Sequence, residues 1–186
     1  MKILELAKSR KTVRKFKEKE VPMDQVKKVI EVAAQAPSGA NYQGWRYMVI
    51  SKPALKRRIR LASEAGEREF YKNVSGDWSN WLNESKINWE KPYLEHAPIL
   101  IAVFGRNDVP YSSESVWLSI GFMLLALEEL GLSTVTYTPS DVKLVEKELP
   151  VPNGYRLESI LPIGYGDDDK QKEPREDLEN ILDIIS

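Results

Sequence analysis

Three cations and a hydroxyl fall within five residues at Arg10-Lys11-Thr12-Val13-Arg14. Guanidinium, ammonium and hydroxyl donors at that density suit a phosphate group. One helix further on, Ala36-Pro37-Ser38-Gly39-Ala40-Asn41-Tyr42-Gln43-Gly44-Trp45 forms a Pro/Ser/Gly turn. Such a turn can present backbone N–H groups and an amide side chain to a flat polar ring. Glu67 and Tyr71 are spaced i, i+4 and share one helix face, with Lys91 following them. The carboxylate can accept from an ammonium, while the phenol and the lysine can donate to a carboxylate. Each group also has an ordinary reading: a solvated basic face with Lys8, Lys15 and Lys17, a helix stop at Pro37, and a polar pair on a solvated helix.

The chain has no cysteine and a single histidine, His96. That excludes disulfides, thiolate ligands and a cysteine nucleophile, and argues against zinc sites and a Ser–His triad. His96 precedes Ala97-Pro98 at a strand entrance, where a structural role fits better than acid catalysis. The chemistry must then come from carboxylates and hydroxyls or from a cofactor.

The elements that carry these residues follow from periodicity. Residues 22–36 read as a helix, with Val26, Val29, Ile30 and Ala33 on one stripe. Trp45–Ile50 reads as a strand, residues 53–65 as a helix, and Ile99–Phe104 as a fully apolar strand ended by Gly105. Residues 115–130 form the most apolar helix, closed by Gly131. Being apolar on nearly every face, it predicts cover from a second subunit. Strands over 134–138 and 157–163, a helix over 141–149 and a C-terminal helix or tail over 175–185 complete an α/β sandwich of the α+β class. Residues 67–95 hold Trp78, Trp81 and Trp89 among polar neighbours, a composition suited to an active-site lid.

At 186 residues, with 27 Lys plus Arg against 28 Asp plus Glu, the chain reads as one domain, 1–186, without a field that recruits nucleic acid. Charges interrupt the first apolar run, and no stretch approaches a membrane span, so a soluble cytoplasmic protein without membrane contact is expected.

Over essentially its whole length the chain resembles the nitroreductase superfamily, whose members bind FMN at the interface of a domain-swapped homodimer. The resemblance implies that Arg10, Lys11, Thr12 and Arg14 hold the phosphate and ribityl chain, joined by Arg175 near the C-terminus. Pro37, Ser38 and Gly39 come from the other subunit, and Thr136, Tyr137 and Thr138 line the flavin. Lys11 and Thr12 stand where the family usually has Arg and Ser, and Gly44 where it usually has Pro.

The segments Glu67–Tyr71, Asn88–Pro98 and Thr134–Pro139 are similar to the lid and flavin loop of the iodotyrosine deiodinase branch. By that resemblance Glu67, Tyr71 and Lys91 clamp the zwitterion of a halotyrosine, and the backbone N–H of Ala40 meets its phenolate. Thr138 is the catalytic residue, hydrogen-bonding flavin N5 and favouring one-electron steps. Asn41 departs from the histidine of the animal enzymes, and their membrane anchor has no counterpart here.

The expected activity is therefore FMN-dependent reductive dehalogenation of halogenated tyrosines, with NAD(P)H or a separate reductase as electron donor. Its rivals are a general NAD(P)H-dependent nitroreductase or quinone reductase, a relative that fragments its own FMN, and a basic-patch binding module without turnover.

Overall fold

The computed structural model describes residues 2–185. A four-stranded antiparallel sheet has the order β1-β2-β4-β3. Its strands are β1 (Trp45–Ile50), β2 (Ile99–Arg106), β3 (Ser133–Thr134) and β4 (Tyr155–Gly164). The register runs Trp45 opposite Gly105 and Ile50 opposite Leu100, then Ile99 opposite Ile163 and Thr134 opposite Ile163.

β2 is apolar from Ile99 to Phe104 because both of its faces are covered. Ile99, Ile101 and Val103 pack into a core with α2 (Met23–Ala33) and α6 (Ser112–Glu129). Leu100, Ala102 and Phe104 pack on the other side with α3 (Pro53–Asn73), α5 (Tyr93–His96) and α7 (Val142–Glu146). The period-two alternation of a strand sends successive side chains to opposite layers. A helix–sheet–helix sandwich results.

Three differences from expectation bear on the site. α3 runs on to Asn73, so Glu67 and Tyr71 lie on the long helix itself and the lid begins beyond it, as α4 (Gly76–Glu84) and the loop to α5. Nothing in residues 66–73 breaks a helix, and its amphipathic stripe continues. β2 continues past Gly105 to Arg106, where the backbone N–H of Arg106 donates to Gly44 O at 2.9 Å. The expected strand over 134–138 is cut to Ser133–Thr134, with a single further bridge between Tyr137 and Ile160. Beyond it the chain turns towards α3, and Pro139 cannot donate to a ladder.

α1 (Ile3–Ser9) and α6 leave an apolar groove of about 380 Å³ lined by Ile3, Leu6, Val32, Phe122, Leu125 and Ala126. Trp117, Leu118 and Phe122 of α6 are exposed, as are Ile181, Leu182 and Ile184 at the end of the chain, around α8 (Leu178–Ile181). No helix among the described residues is long and apolar enough to cross a membrane.

Candidate active site

The basic run is fixed to the sheet edge by its apolar member. Val13 is buried and donates its N–H to Thr134 O at 3.0 Å, and Thr12 bridges Thr134 in parallel. Alternation about Val13 turns Thr12 and Arg14 together to the same side. They line a cavity of about 210 Å³ with Lys11, Trp81, Lys172 and Arg175.

The cations of the basic run are unequally engaged. The Lys11 ammonium donates to Asp168 O and Lys170 O, both at 2.6 Å, which fastens the C-terminal segment to the basic run. Arg10 Nε is buried without a hydrogen-bond partner among the described residues. Burial first, then the nearby Arg175, pull the Arg10 pKa down, against a smaller opposing effect of Glu128. A buried guanidinium nitrogen without an acceptor, near a second guanidinium, has donor capacity for a further anion. The donor set therefore fits a phosphate group, and Thr12 adds a hydroxyl.

The turn at 37–43 is held in a strained form. Ala40, Asn41 and Gln43 all take positive φ, at 47°, 56° and 49°. Each costs a non-glycine residue about 1–2 kcal/mol. One contact that holds it is local and one is long-range: Gln43 N–H donates to Ser38 Oγ at 3.0 Å, and Gly39 N–H to Ser115 Oγ of α6 at 3.1 Å. Ser115 Oγ in turn donates to Tyr111 O at 2.6 Å, at the start of α6. Gly39 is required here, since a Cβ would lie 2.8 Å from Tyr111 Cδ2. The Ala40 N–H has no acceptor among the described residues.

Turn and basic run do not meet within one chain. The turn leads into Trp45, opposite Gly105 on one outer strand, whereas Thr12 lies on Thr134, next to the Ile99 end, at the other edge. Six residues along β2 amount to roughly 20 Å, and three strand spacings to roughly 14 Å across. The two segments sit at diagonally opposite corners of the sheet.

A charged cluster lies on the same side as the basic run. Glu67 and Lys91 are both about 5 % exposed, and Lys91 Nζ stands 3.3 Å from Glu67 Oε2. Lys91 Nζ also donates to Asn88 O at 2.5 Å, and its backbone N–H donates to Glu64 Oε1 at 2.9 Å. Glu64 is itself buried and paired with Arg60 at 2.7 Å. The Tyr71 ring is 5.2 Å from Lys91 Nζ, a cation–π contact. Burial lowers the Lys91 pKa against the raising effect of Glu67, and burial first, then Glu67, raises that of Tyr71.

The segment expected to line a flavin divides in two. Thr138 is exposed, while Tyr137 is buried and donates its hydroxyl to Glu67 Oε1 at 2.9 Å. His96 ends α5 as an exposed side chain beside Glu18 and Lys19, apart from the cluster. Glu64, Ser115 and Ser140 escape a reading of the sequence. Of these only Ser140 had a signal, two residues after Thr138.

The nitroreductase family model matches residues 7–165. The chain is 49% identical over 179 residues to the iodotyrosine deiodinase of Thermotoga neapolitana, covering 96% of each chain. It is 36% identical over 167 residues to that of Haliscomenobacter hydrossis, covering 84% of this chain and 75% of the relative. A crystal structure of oxidized iodotyrosine deiodinase bound to FMN and 3-iodo-L-tyrosine superposes with a TM-score of 0.92, at 48% identity, over 95% of this chain and 96% of that one.

Proposed function

The chain belongs to the nitroreductase family, and on that premise we propose that it is an FMN-dependent iodotyrosine deiodinase, removing halide reductively from halogenated tyrosines. The observation that carries the reading is the buried pair of Glu67 and Lys91, with the Tyr71 ring 5.2 Å from the Lys91 ammonium. Its opposite charges match the ammonium and carboxylate of an amino acid, and each charge-assisted contact in such a site is worth about 1.5–3 kcal/mol.

Arg10, Thr12, Arg14 and Arg175 hold the FMN phosphate, and the unpartnered Arg10 Nε supports this assignment. Lys11 contributes by pinning the C-terminal segment that carries Arg175. When bound, FMN supplies the two electrons that, with a proton, turn an aryl iodide into arene and iodide. The chain's own residues place the substrate. Glu67 accepts from its ammonium, Lys91 and Tyr71 donate to its carboxylate, and Thr138 presents its hydroxyl to the flavin edge. Pro37, Ser38 and Gly39 form the floor of the turn, and the Ala40 N–H is aimed at the phenolate oxygen.

The diagonal separation of turn and basic run supports a domain-swapped homodimer in which each site takes the turn from the partner subunit. The apolar groove of α1 and α6 and the exposed Trp117, Leu118 and Phe122 supply its interface. The lid beyond α3, formed by α4 and the loop to α5, closes on the substrate within the single domain 1–186. NAD(P)H or a separate reductase delivers the electrons, and a cytoplasmic location goes with that supply.

The test is anaerobic. The purified protein is reduced with dithionite, 3-iodotyrosine is added, and tyrosine and iodide are quantified. Equal yields of both, over many turnovers, are expected. Reoxidation by nitroaromatics with no tyrosine formed would transfer the assignment to a general nitroreductase.

A further inference from the structure

The proposal here rests on the reading of Glu67 as the acceptor for the substrate ammonium. Glu67 reaches that place with its two oxygens already divided. Oε1 accepts from Tyr137 OH at 2.9 Å, from Ser140 Oγ at 2.8 Å and from Ser140 N–H at 3.3 Å. Oε2 stands 3.3 Å from Lys91 Nζ and has no other partner among the described residues. We propose that Tyr137 and Ser140 are positioning residues for amino-group recognition, saturating one oxygen of Glu67 so that the other is presented to the substrate ammonium.

Three features of the fold carry this. First, the donors are neutral. A lysine or arginine in their place would cancel the charge that an ammonium needs, whereas hydroxyls and an amide hold the carboxylate and leave its charge intact. Second, the donors are anchored to the sheet rather than to the lid. Tyr137 exchanges backbone hydrogen bonds with Ile160 at 3.0 and 2.8 Å, and its carbonyl accepts from Ser159 Oγ at 3.1 Å. Its ring meets Tyr93 edge-on at 6.0 Å. Third, the helix is shaped to admit them. A Cβ on Gly66 would lie 3.0 Å from Asp141 Cβ and 3.1 Å from Asp141 N, so the missing side chain lets the segment after Ser140 close on α3.

Without those donors the glutamate has three free torsions and one strong cation beside it. Lys91, already 3.3 Å from Oε2, would then take both oxygens, and an incoming ammonium would have to displace it from two contacts rather than one. Burial beside Glu67 raises the Tyr137 pKa far above the ordinary phenol, so the hydroxyl stays protonated and donating across any working pH. Tyr137 and Thr138 thus divide the labour of one short segment, one facing the glutamate and the other solvent-accessible.

The experiment compares kcat/KM for 3-iodotyrosine with that for the same iodophenol acid lacking the amino group, using FMN-loaded protein. Tyr137→Phe and Ser140→Ala should each lower the ratio of the two by about tenfold, as loss of one hydrogen bond to a charged group does. Ser140→Thr, which keeps the hydroxyl, should restore it. A proportional loss on both substrates, with the ratio unmoved, would mean a structural role and overturn the proposal. Should Tyr137→Phe not fold, Ser140→Ala at an exposed position decides alone. Glu67→Gln separates the two levels of the argument. If it lowers the ratio while the positioning variants do not, positioning fails and the deiodinase reading stands. If the parent protein shows no preference for the amino-bearing substrate, both fall.

Discussion

The ammonium of Lys91 lies 3.3 Å from Oε2 of Glu67, with both side chains buried. Each partner is gripped independently. Lys91 is held through its backbone by Glu64, one turn before Glu67 on the same helix, and Glu67 through Oε1 by the segment 137–140. Desolvating two charges is costly, and such a pair is seldom retained for stability alone. Here the proposed function gives the pair its reason: a negative and a positive site offered to the ammonium and carboxylate of an amino acid.

Glu67→Gln and Lys91→Ala should each raise KM for 3-iodotyrosine by about ten- to a hundredfold. FMN should stay bound, since neither residue is among those assigned to its phosphate. Steady-state kinetics with the flavin absorbance of the purified variant provide the check. Lys91→Ala should in addition lower stability by up to about 3–5 kcal/mol, because it strands a buried carboxylate.

The lowered pKa of Lys91 has a sign that can be measured. Its folded value lies below the ordinary 10.5, so between those two values the unfolded chain binds more protons. Stability relative to Lys91→Met should therefore rise with pH across that window and be level below it. Urea melts of both proteins between neutral pH and the ordinary lysine value test this. A difference that falls with pH would contradict the direction of the shift.

Arg10 and Lys11 should separate despite being adjacent. Arg10→Met removes an unpartnered guanidinium facing Arg175, so the flavin-free protein should melt higher and retain FMN less well. Lys11→Ala should instead loosen residues 168–172, seen as faster proteolysis of the C-terminal segment.

Gly39→Ala drives a Cβ to 2.8 and 2.9 Å from Tyr111. Overpacking of this kind costs about 1–3 kcal/mol. The melting temperature should fall accordingly, and the turn should leave its seat on Ser115.

Phe122→Asp places a charge in the apolar groove beside α1. Sedimentation should show the variant as a monomer, with FMN lost in parallel. Retention of FMN by a monomer would contradict a site built from two subunits.

The elements were legible where local pattern suffices. β1 stands over the residues that alternation indicates, β2 reads as apolar because both faces are covered, and Gly131 takes φ +67° at the end of α6. The exposed apolar face of α6 was likewise visible as an excess of hydrophobic positions. Ends were less legible. α3 and β2 run past their expected stops because continuing them satisfies backbone groups at no steric cost. The segment after Thr134 keeps only one bridge to the sheet, between Tyr137 and Ile160, while the Tyr137 hydroxyl reaches the buried carboxylate of Glu67 on α3.

By itself, the amino-acid sequence determined the chemistry on offer: cations for a phosphate, a turn rich in amide donors, and a carboxylate and an ammonium for a zwitterion, with no thiol. It could do so because residue type sets what a side chain donates, accepts or carries. Which groups are already occupied was decided only by the tertiary structure. Lys11 is spent on carbonyls more than 150 residues away in sequence, whereas its neighbour Arg10 is left wanting an anion. Glu67 is divided between Tyr137 and Lys91, and turn and basic run stand at opposite corners of one sheet. Such pairings depend on strand order and on what each helix covers, long-range relations that no local spacing encodes.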